Sequence, residues 1–207
     1  MDHATPPKTT GSQDELMALE SQIRECYGRV AYSHKVHEKN ADIYHSRLRL
    51  LKLTQIILSA ITTGGLIITL FGQNQTSALI AAIASAALLA INTYTKEHDL
   101  GQLTQKHVNT AGDLWDVRES YLSMLTDLAS GTANTDPVRH KRDTLQEDLK
   151  SIYQAAPRTI PKAYARARAA FQINEELTFS QQEIDNMLPQ FLRIASRSKT
   201  EHGEPSQ

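Results

Sequence analysis

The sequence of 207 residues contains a single cysteine, Cys26, which excludes a disulfide within the chain and fits a reducing compartment. The formal net charge is only −1, so no excess of basic residues points to nucleic-acid binding. The first residues lack the apolar run of a secretory signal peptide, and none is expected. No glycine-rich phosphate loop, catalytic triad or paired carboxylates stand at a useful spacing. We therefore expect no enzyme activity, and we predict no cofactor and no metal.

The most informative absence is that of charge. No Asp, Glu, Lys, Arg or His occurs from Leu53 to Thr95, where two apolar runs, Leu53–Phe71 and Ser77–Tyr94, flank the polar residues 72–76. At about 1.5 Å per residue, each run can cross a bilayer core of about 30 Å as a helix. A core helix of a soluble protein normally keeps a charged face, which neither run has. Residues 53–95 are therefore predicted to form a two-helix transmembrane hairpin, and a soluble bundle with an unusually apolar hairpin is the alternative.

Basic residues flank this hairpin and are absent from its turn. Those before the first run are Lys35, Lys39, Arg47, Arg49 and Lys52, and those after the second are Lys96 and Lys106. Because positively charged flanks stay on the cytoplasmic side, both termini are predicted to be cytoplasmic and the turn external.

Helical patterns continue on both sides of the hairpin. Apolar residues recur at steps of three and four from Leu16 to Val30, from Ile43 to Leu51, and again from Leu100 to Leu128. Such narrow seams are typical of paired helices, so residues 12–52 and 96–130 are predicted to form an antiparallel cytoplasmic stalk. One long helix, or two nearly collinear ones, would run into the membrane. The second span is predicted to continue into its stalk helix without a break.

The two ends of the chain complete an all-α prediction. Residues 1–11 are predicted to be disordered, with Ser12 as the N-cap of the first helix. Asp136 and Pro137 predict the start of another helix, which continues to about Ala155. Further helices are predicted over residues 161–176 and from Ser180, with an interruption at Pro189. Residues 136–195 would form a small carboxyl-terminal helical region, and residues 196–207 a disordered tail.

Small and polar side chains interrupt both apolar runs. In lipid such groups face a neighbouring helix or water, so they are predicted either to pack the hairpin or to line a pore in an oligomer. Both interpretations remain open. The candidates in the first run are Gln55, Ser59, Thr62, Thr63, Gly64, Gly65 and Thr69. Those in the second run are Ala82, Ser85, Ala86 and Asn92, of which the alanines belong to a ridge of small residues spaced by four.

Three other groups contain residue types that can form a site. Arg158, Lys162 and Arg166 are spaced by four and could form a basic stripe that contacts anionic lipid headgroups or an anionic ligand, or simply a solvated face. His34 and His37 could hold a metal, but no third ligand follows at a useful spacing, and we expect packed or solvated histidines. Cys26 lies on the apolar seam and is expected to be a small core residue.

The stretches Glu25–Val30 (ECYGRV) and His34–Lys39 (HKVHEK), together with the predicted hairpin and its helical flanks, resemble the bacterial SLATT proteins, the SMODS and SLOG-associating two-transmembrane effector domains. The resemblance covers roughly residues 16–195. It implies an inner-membrane effector that perforates or depolarises the membrane when a partner senses infection, often through a nucleotide signal. It supplies no catalytic motif.

Taken with the polar positions of the first span, the resemblance leads us to expect a homo-oligomer whose first spans line a pore gated from the cytoplasmic helices. The alternative is a non-conducting, membrane-anchored sensor or scaffold whose cytoplasmic helices dock a partner.

Overall fold

The computed structural model describes residues 9–72, 75–131, 134–172 and 183–184, and the regular secondary structure of these residues is helical. The helices are α1 (Thr9–Gly72), α2 (Gln75–Glu97), α3 (Leu100–Ala129), α4 (Thr135–Ala155) and α5 (Pro161–Gln172). No strand occurs in the described residues, which confirms the all-α class. The chain divides into two compact units, residues 1–164 and 165–207, and the first contains the hairpin and the stalk.

Helix α1 is one uninterrupted helix of 64 residues, which at 1.5 Å per residue is about 96 Å long. Proline, the residue that would break it, is absent throughout. The helix begins at Thr9, so the prediction that residues up to 11 lie outside it is wrong for Thr9–Gly11, and Ser12 is not its N-cap. Neither threonine nor glycine blocks a helix as proline does, and the last proline before α1 is Pro7.

Helices α1 and α2 form the charge-free hairpin. Gly72, Gln75 and Thr76 are helical, so the connection is shorter than the predicted polar turn of residues 72–76. Each arm contains an apolar window long enough to cross a membrane, and buried residues make up 0% of the first window and 11% of the second. The core helix of a soluble protein would be mostly buried, so these figures favour a membrane hairpin over a soluble bundle.

The sequence predicts that the second span continues unbroken into the stalk, and this prediction is wrong. The helix stops after Glu97, and α3 starts at Leu100 with Asp99 as its N-cap, whose carboxylate accepts a hydrogen bond of 2.8 Å from the Gln102 backbone N–H. An aspartate satisfies an otherwise unpaired N–H at a helix start. Helix α3 runs through Gly112 without interruption.

The stalk consists of α1 and α3 packed antiparallel, because His34 lies opposite Ala111 and His37 opposite His107. The apolar seams meet at this interface. The buried seam residues are Leu19, Ile23, Cys26 and Val30 on α1, and Leu114, Val117, Tyr121, Met124 and Leu128 on α3. Cys26 is buried among them, as expected for a small core residue.

Helix α4 packs as a third helix on the part of the stalk that lies farther from the hairpin, and it runs parallel to α1. The contacts of Arg142 with Gln22, and of Tyr153 with Ser33, advance in the same direction along both helices. Val138 and Leu145 of α4 are buried in the stalk core. The helix starts at Thr135 with Asn134 at its N-cap position, slightly before the predicted start at Asp136 and Pro137.

Helix α5 starts at Pro161, as the sequence predicted. The predicted extension to residue 176, the helix start at Ser180, the interruption at Pro189 and the tail 196–207 lie outside the described residues, as do residues 1–8.

Candidate functional site

The interior of the hairpin is held together by polar side chains of both arms. Gln55 Nε2 donates a hydrogen bond of 2.9 Å to Asn92 Oδ1 and lies 3.5 Å from Thr95 Oγ1. Near the turn, the hydroxyls of Thr69 and Ser77 are 2.9 Å apart. These bonds join the arms near both ends of the hairpin, where lipid would offer the side chains no partner.

Between these two bonds the helices are in close contact at Gly65. A methyl group added at Gly65 would lie 2.9 Å from Ala81 Cβ and 3.1 Å from the Ser77 carbonyl oxygen. Ala81 and Ala84 are the buried alanines of α2. Glycine opposite alanine lets two helices pack backbone to backbone in a membrane.

The candidate polar positions divide into an inward and an outward set. Gln55, Thr62, Gly64, Gly65 and Thr69 are partly buried, and Thr62 also donates to the Leu58 carbonyl oxygen at 2.8 Å.

The outward set is exposed and comprises Ser59 and Thr63 on α1 with Ala82, Ser85 and Ala86 on α2. Asn92 is also exposed, although its side chain accepts from Gln55. Ser59 therefore does not share the face of Gln55, Thr62 and Thr69, and the predicted alanine ridge is not the surface that packs within the hairpin.

The remaining outer surface of the hairpin is strongly apolar. The exposed large apolar side chains are Leu53, Ile56, Ile57, Ile61, Leu66, Ile67, Ile68, Leu70 and Phe71 on α1, and Leu79, Ile80, Ile83, Leu89 and Tyr94 on α2. An apolar surface of this extent requires cover, and the hydrocarbon core of a bilayer supplies it.

The middle of the stalk has a polar core in place of an apolar one. His37 Nδ1 and His107 Nδ1 are 3.0 Å apart, and one ring must donate the proton that the other accepts. His34 Nδ1 lies 2.9 Å from the Ala111 carbonyl oxygen, and Tyr44 stacks on His107 at 5.5 Å between ring centroids. No group of three or more metal-ligating side chains occurs among the described residues. The contacts of His37 with His107 and of His34 with Ala111 join α1 to α3.

Burial keeps the histidine pair uncharged at neutral pH. Desolvation, followed by the neighbouring His107 and His34, lowers the pKa of His37 from 6.5 to about 4. Burial also lowers the pKa of His107. A charged imidazole would lose its water here without gaining a carboxylate partner on either ring.

Because the pKa of His37 is lowered in the folded chain, the stability of the fold depends on pH with a definite sign. Below pH 6.5 the unfolded chain binds a proton at residue 37 that the folded chain does not bind until about pH 4. Stability is therefore full above about pH 6.5 and should fall by ~3 kcal/mol as the pH drops to 4. Urea unfolding of the full chain in detergent at several pH values would measure it. His37→Gln should remove most of this dependence, and an unchanged dependence in the variant would contradict the assignment.

The three candidate basic residues do not lie on one helix. Lys162 and Arg166 are one turn apart on α5, whereas Arg158 lies in the non-helical connection before it. All three side chains are exposed, and no carboxylate in the described ranges pairs with them. Their role as an anion contact stays a prediction.

Comparison with known protein families identifies a match over most of the chain. The family described as SMODS and SLOG-associating 2TM effector domain family 4 matches residues 19–183. No curated protein and no solved structure matched the chain. The matched region contains both arms of the hairpin, the stalk from residue 19 onward and the histidine pair. It covers well over half of the chain, and the two apolar arms supply the two transmembrane helices named by the family. The chain belongs to the SLATT proteins, as a membrane-spanning member of the SMODS and SLOG-associating two-transmembrane effector domain family 4.

Proposed function

We propose that this protein is an effector of a bacterial conflict system that oligomerises in the inner membrane and perforates or depolarises it when a cytoplasmic partner, such as a nucleotide-signalling sensor, is triggered. The proposal includes no catalysis and no cofactor. The observation that carries it is the set of small and hydroxyl side chains left on the outer surface of the hairpin. Gln55, Thr62 and Thr69 are already used within one chain, but Ser59 and Thr63 are not.

Ser59 and Thr63 lie one turn apart on an otherwise apolar surface. Hydroxyl groups that face lipid find no hydrogen-bond partner there, whereas a second protomer or a water-filled lumen offers one. On α2, Ala82 and Ala86 repeat at the same four-residue spacing and would let a neighbouring protomer approach closely. A lumen built from such groups has no ring of charge, so little ion selectivity is expected.

The orientation follows from exposed basic residues at the cytoplasmic ends of the arms. Arg47, Arg49, Lys52 and Lys96 are all exposed, and the residues next to the turn carry no positive charge. These charges support the proposed orientation, in which both termini, and with them the stalk, face the cytoplasm. A cytoplasmic partner would then be able to reach the stalk.

The test is to fill the outward polar positions with apolar groups. Ser59→Leu combined with Thr63→Leu should abolish depolarisation, measured with a potential-sensitive dye in cells induced for this protein alone and together with its neighbouring genes. Ile57→Leu with Ile61→Leu is the matched control, because both positions are exposed on the same helix and are already apolar. The control pair should depolarise like the unchanged protein. Membrane fractions should contain equal amounts of all three proteins.

Two results would contradict the proposal. One is an unchanged membrane potential on induction of the inserted protein in both conditions. The other is depolarisation that persists in the Ser59 and Thr63 variant. Either would favour a non-conducting, membrane-anchored sensor or scaffold whose cytoplasmic helices dock a partner.

A further inference from the structure

A cleft of about 480 Å³ opens on the side of the stalk, away from the hairpin. Four parts of the chain wall it: α1, the end of α4, the connection 156–160 and the start of α5. The lining residues are Tyr32, Ser33, Val36, His37, Tyr153, Ala156, Pro157, Arg158, Thr159 and Tyr164. The volume lies in the usual range for small-molecule sites. The proposed function makes no use of this cleft.

Aromatic rings form much of the cleft wall, and they are held in place. Tyr153 donates to or accepts from Ser33 through their hydroxyls, which are 2.9 Å apart. Tyr32 donates to the Tyr164 carbonyl oxygen at 3.4 Å, and the two rings lie 5.0 Å apart at 58°. Even so, 45% of Tyr153 and 56% of Tyr164 remain exposed. Fixed, exposed rings can stack on a planar partner at a low cost in side-chain entropy.

The charge of the cleft is positive without any compensating carboxylate. Arg158 is the charged residue in its lining, since burial lowers the pKa of His37 to about 4 and leaves that ring neutral. No acidic side chain in the described part of the chain pairs with Arg158. The other large clefts differ, because one is lined by Glu38, Asp42, Asp113 and Asp116 and another by a mixture of both charges.

The position of the cleft decides between a lipid headgroup and a soluble anion. The Ile160 backbone N–H donates to Asn40 Oδ1 at 3.1 Å, and Tyr164 lies against Tyr32. These contacts place the connection and the start of α5 level with residues 32–40 of α1, which is ~20–30 Å along the helix from the start of the apolar run at Leu53. Electrostatic attraction is screened over about 8 Å at physiological salt. A bilayer surface at the end of the span is therefore too far away for Arg158.

We propose that this cleft binds a planar aromatic anion, with its ring stacked on Tyr153 or Tyr164 and its charged group on the Arg158 guanidinium. A guanidinium forms paired hydrogen bonds with either a phosphate or a carboxylate. The ligand can therefore be a nucleoside phosphate or an aromatic carboxylate. Binding would clamp α1 to the end of α4, the connection and the start of α5, because the walls of the cleft come from all four.

Titration calorimetry on the full chain in nanodiscs of zwitterionic lipid would test this. The probes are adenosine monophosphate and indole-3-acetate, with adenosine as the ring without a charge and inorganic phosphate as the charge without a ring. At least one aromatic anion should bind about tenfold more tightly than both controls. Which of the two binds better identifies the source of the ligand.

Variants of the protein separate the contribution of the Arg158 charge to binding from that of the tyrosine rings. Arg158→Gln should remove the tenfold advantage of the anion, whereas Lys150→Gln, which removes an exposed charge of α4 outside the cleft, should leave it unchanged. Tyr153→Leu combined with Tyr164→Leu should weaken binding, and Tyr153→Phe combined with Tyr164→Phe should restore it. The proposal is overturned if no probe binds at concentrations up to about 10 mM, if phosphate alone binds as well as the aromatic anions, or if Arg158→Gln has no effect. None of these results depends on whether the hairpin conducts.

Discussion

Replacing Gly65 by leucine should lower the free energy of unfolding by about 3 kcal/mol or more and separate the two arms of the hairpin. Even one added carbon would meet Ala81 Cβ at 2.9 Å and the Ser77 carbonyl oxygen at 3.1 Å. A flexible side chain could move aside, but a backbone carbonyl in a helix cannot move without breaking the helix. Gly65→Leu should also lose the proposed depolarising activity, since the outward faces of the two arms would no longer be held together.

The adjacent glycine supplies the control. A carbon added at Gly64 meets no other atom within 4 Å. Gly64→Leu should therefore leave stability unchanged or raise it by up to ~1 kcal/mol, because leucine favours the helix more than glycine does. Thermal unfolding of both variants in detergent, followed by circular dichroism, would measure the difference. Equal stability of the two variants would mean that α1 and α2 do not pack at Gly65.

A second large effect is expected for Leu114→Ala, which should lower the free energy of unfolding by about 2–5 kcal/mol. The Leu114 side chain is fully buried in the stalk core with Ile23 and Val30 of α1. Truncation removes apolar contact and leaves a cavity between helices that cannot close completely.

Leu122→Ala is the matched control for this change, because Leu122 lies on the same helix and is 42% exposed. It should cost less than ~1 kcal/mol. The same unfolding measurement on the full chain compares the two. A loss of similar size in both variants would contradict the assignment of Leu114 to the core. It would also mean that α3 does not turn Leu114 toward α1 and Leu122 toward the surface.

The stretches on which the family resemblance was based are part of the centre of the stalk. Cys26 and Val30 belong to the apolar core, and His34 and His37 belong to the polar core. From the sequence, the histidines are expected only to be packed or solvated, and the pairing of His37 with His107 becomes visible in the structure. The sequence does contain a signal for that pairing. Both residues lie on a predicted seam or next to one. An antiparallel hairpin that turns near residue 73 also brings them to about the same level.

The break at Asp99 was missed for a different reason. The seam from Leu100 to Leu128 has the correct helical spacing, and nothing in that spacing requires a break before it. Whether Asp99 acts as an exposed helical residue or as an N-cap depends on the direction in which α3 must leave the hairpin to pack on α1. Packing, which local sequence does not specify, therefore decided the helix end.

Several properties of this protein were determined by the sequence alone. A stretch of apolar residues without charge can only be covered by lipid or by protein, and its length matched a bilayer. Apolar residues at steps of three and four produce a seam on any helix, whatever it packs against. The all-α class, the hairpin and the pairing of the stalk helices follow from these two facts.

The tertiary structure alone decided which small and polar residues of the hairpin face inward. On a helix that is apolar on all sides, periodicity does not specify the rotation about the axis, so only close packing at Gly65 and Ala81 selects Gln55 and Thr69 for the interior and leaves Ser59 outside. The tyrosine and arginine cleft was equally hidden, because its walls are more than a hundred residues apart in the chain and only the parallel packing of α4 on α1 brings them together.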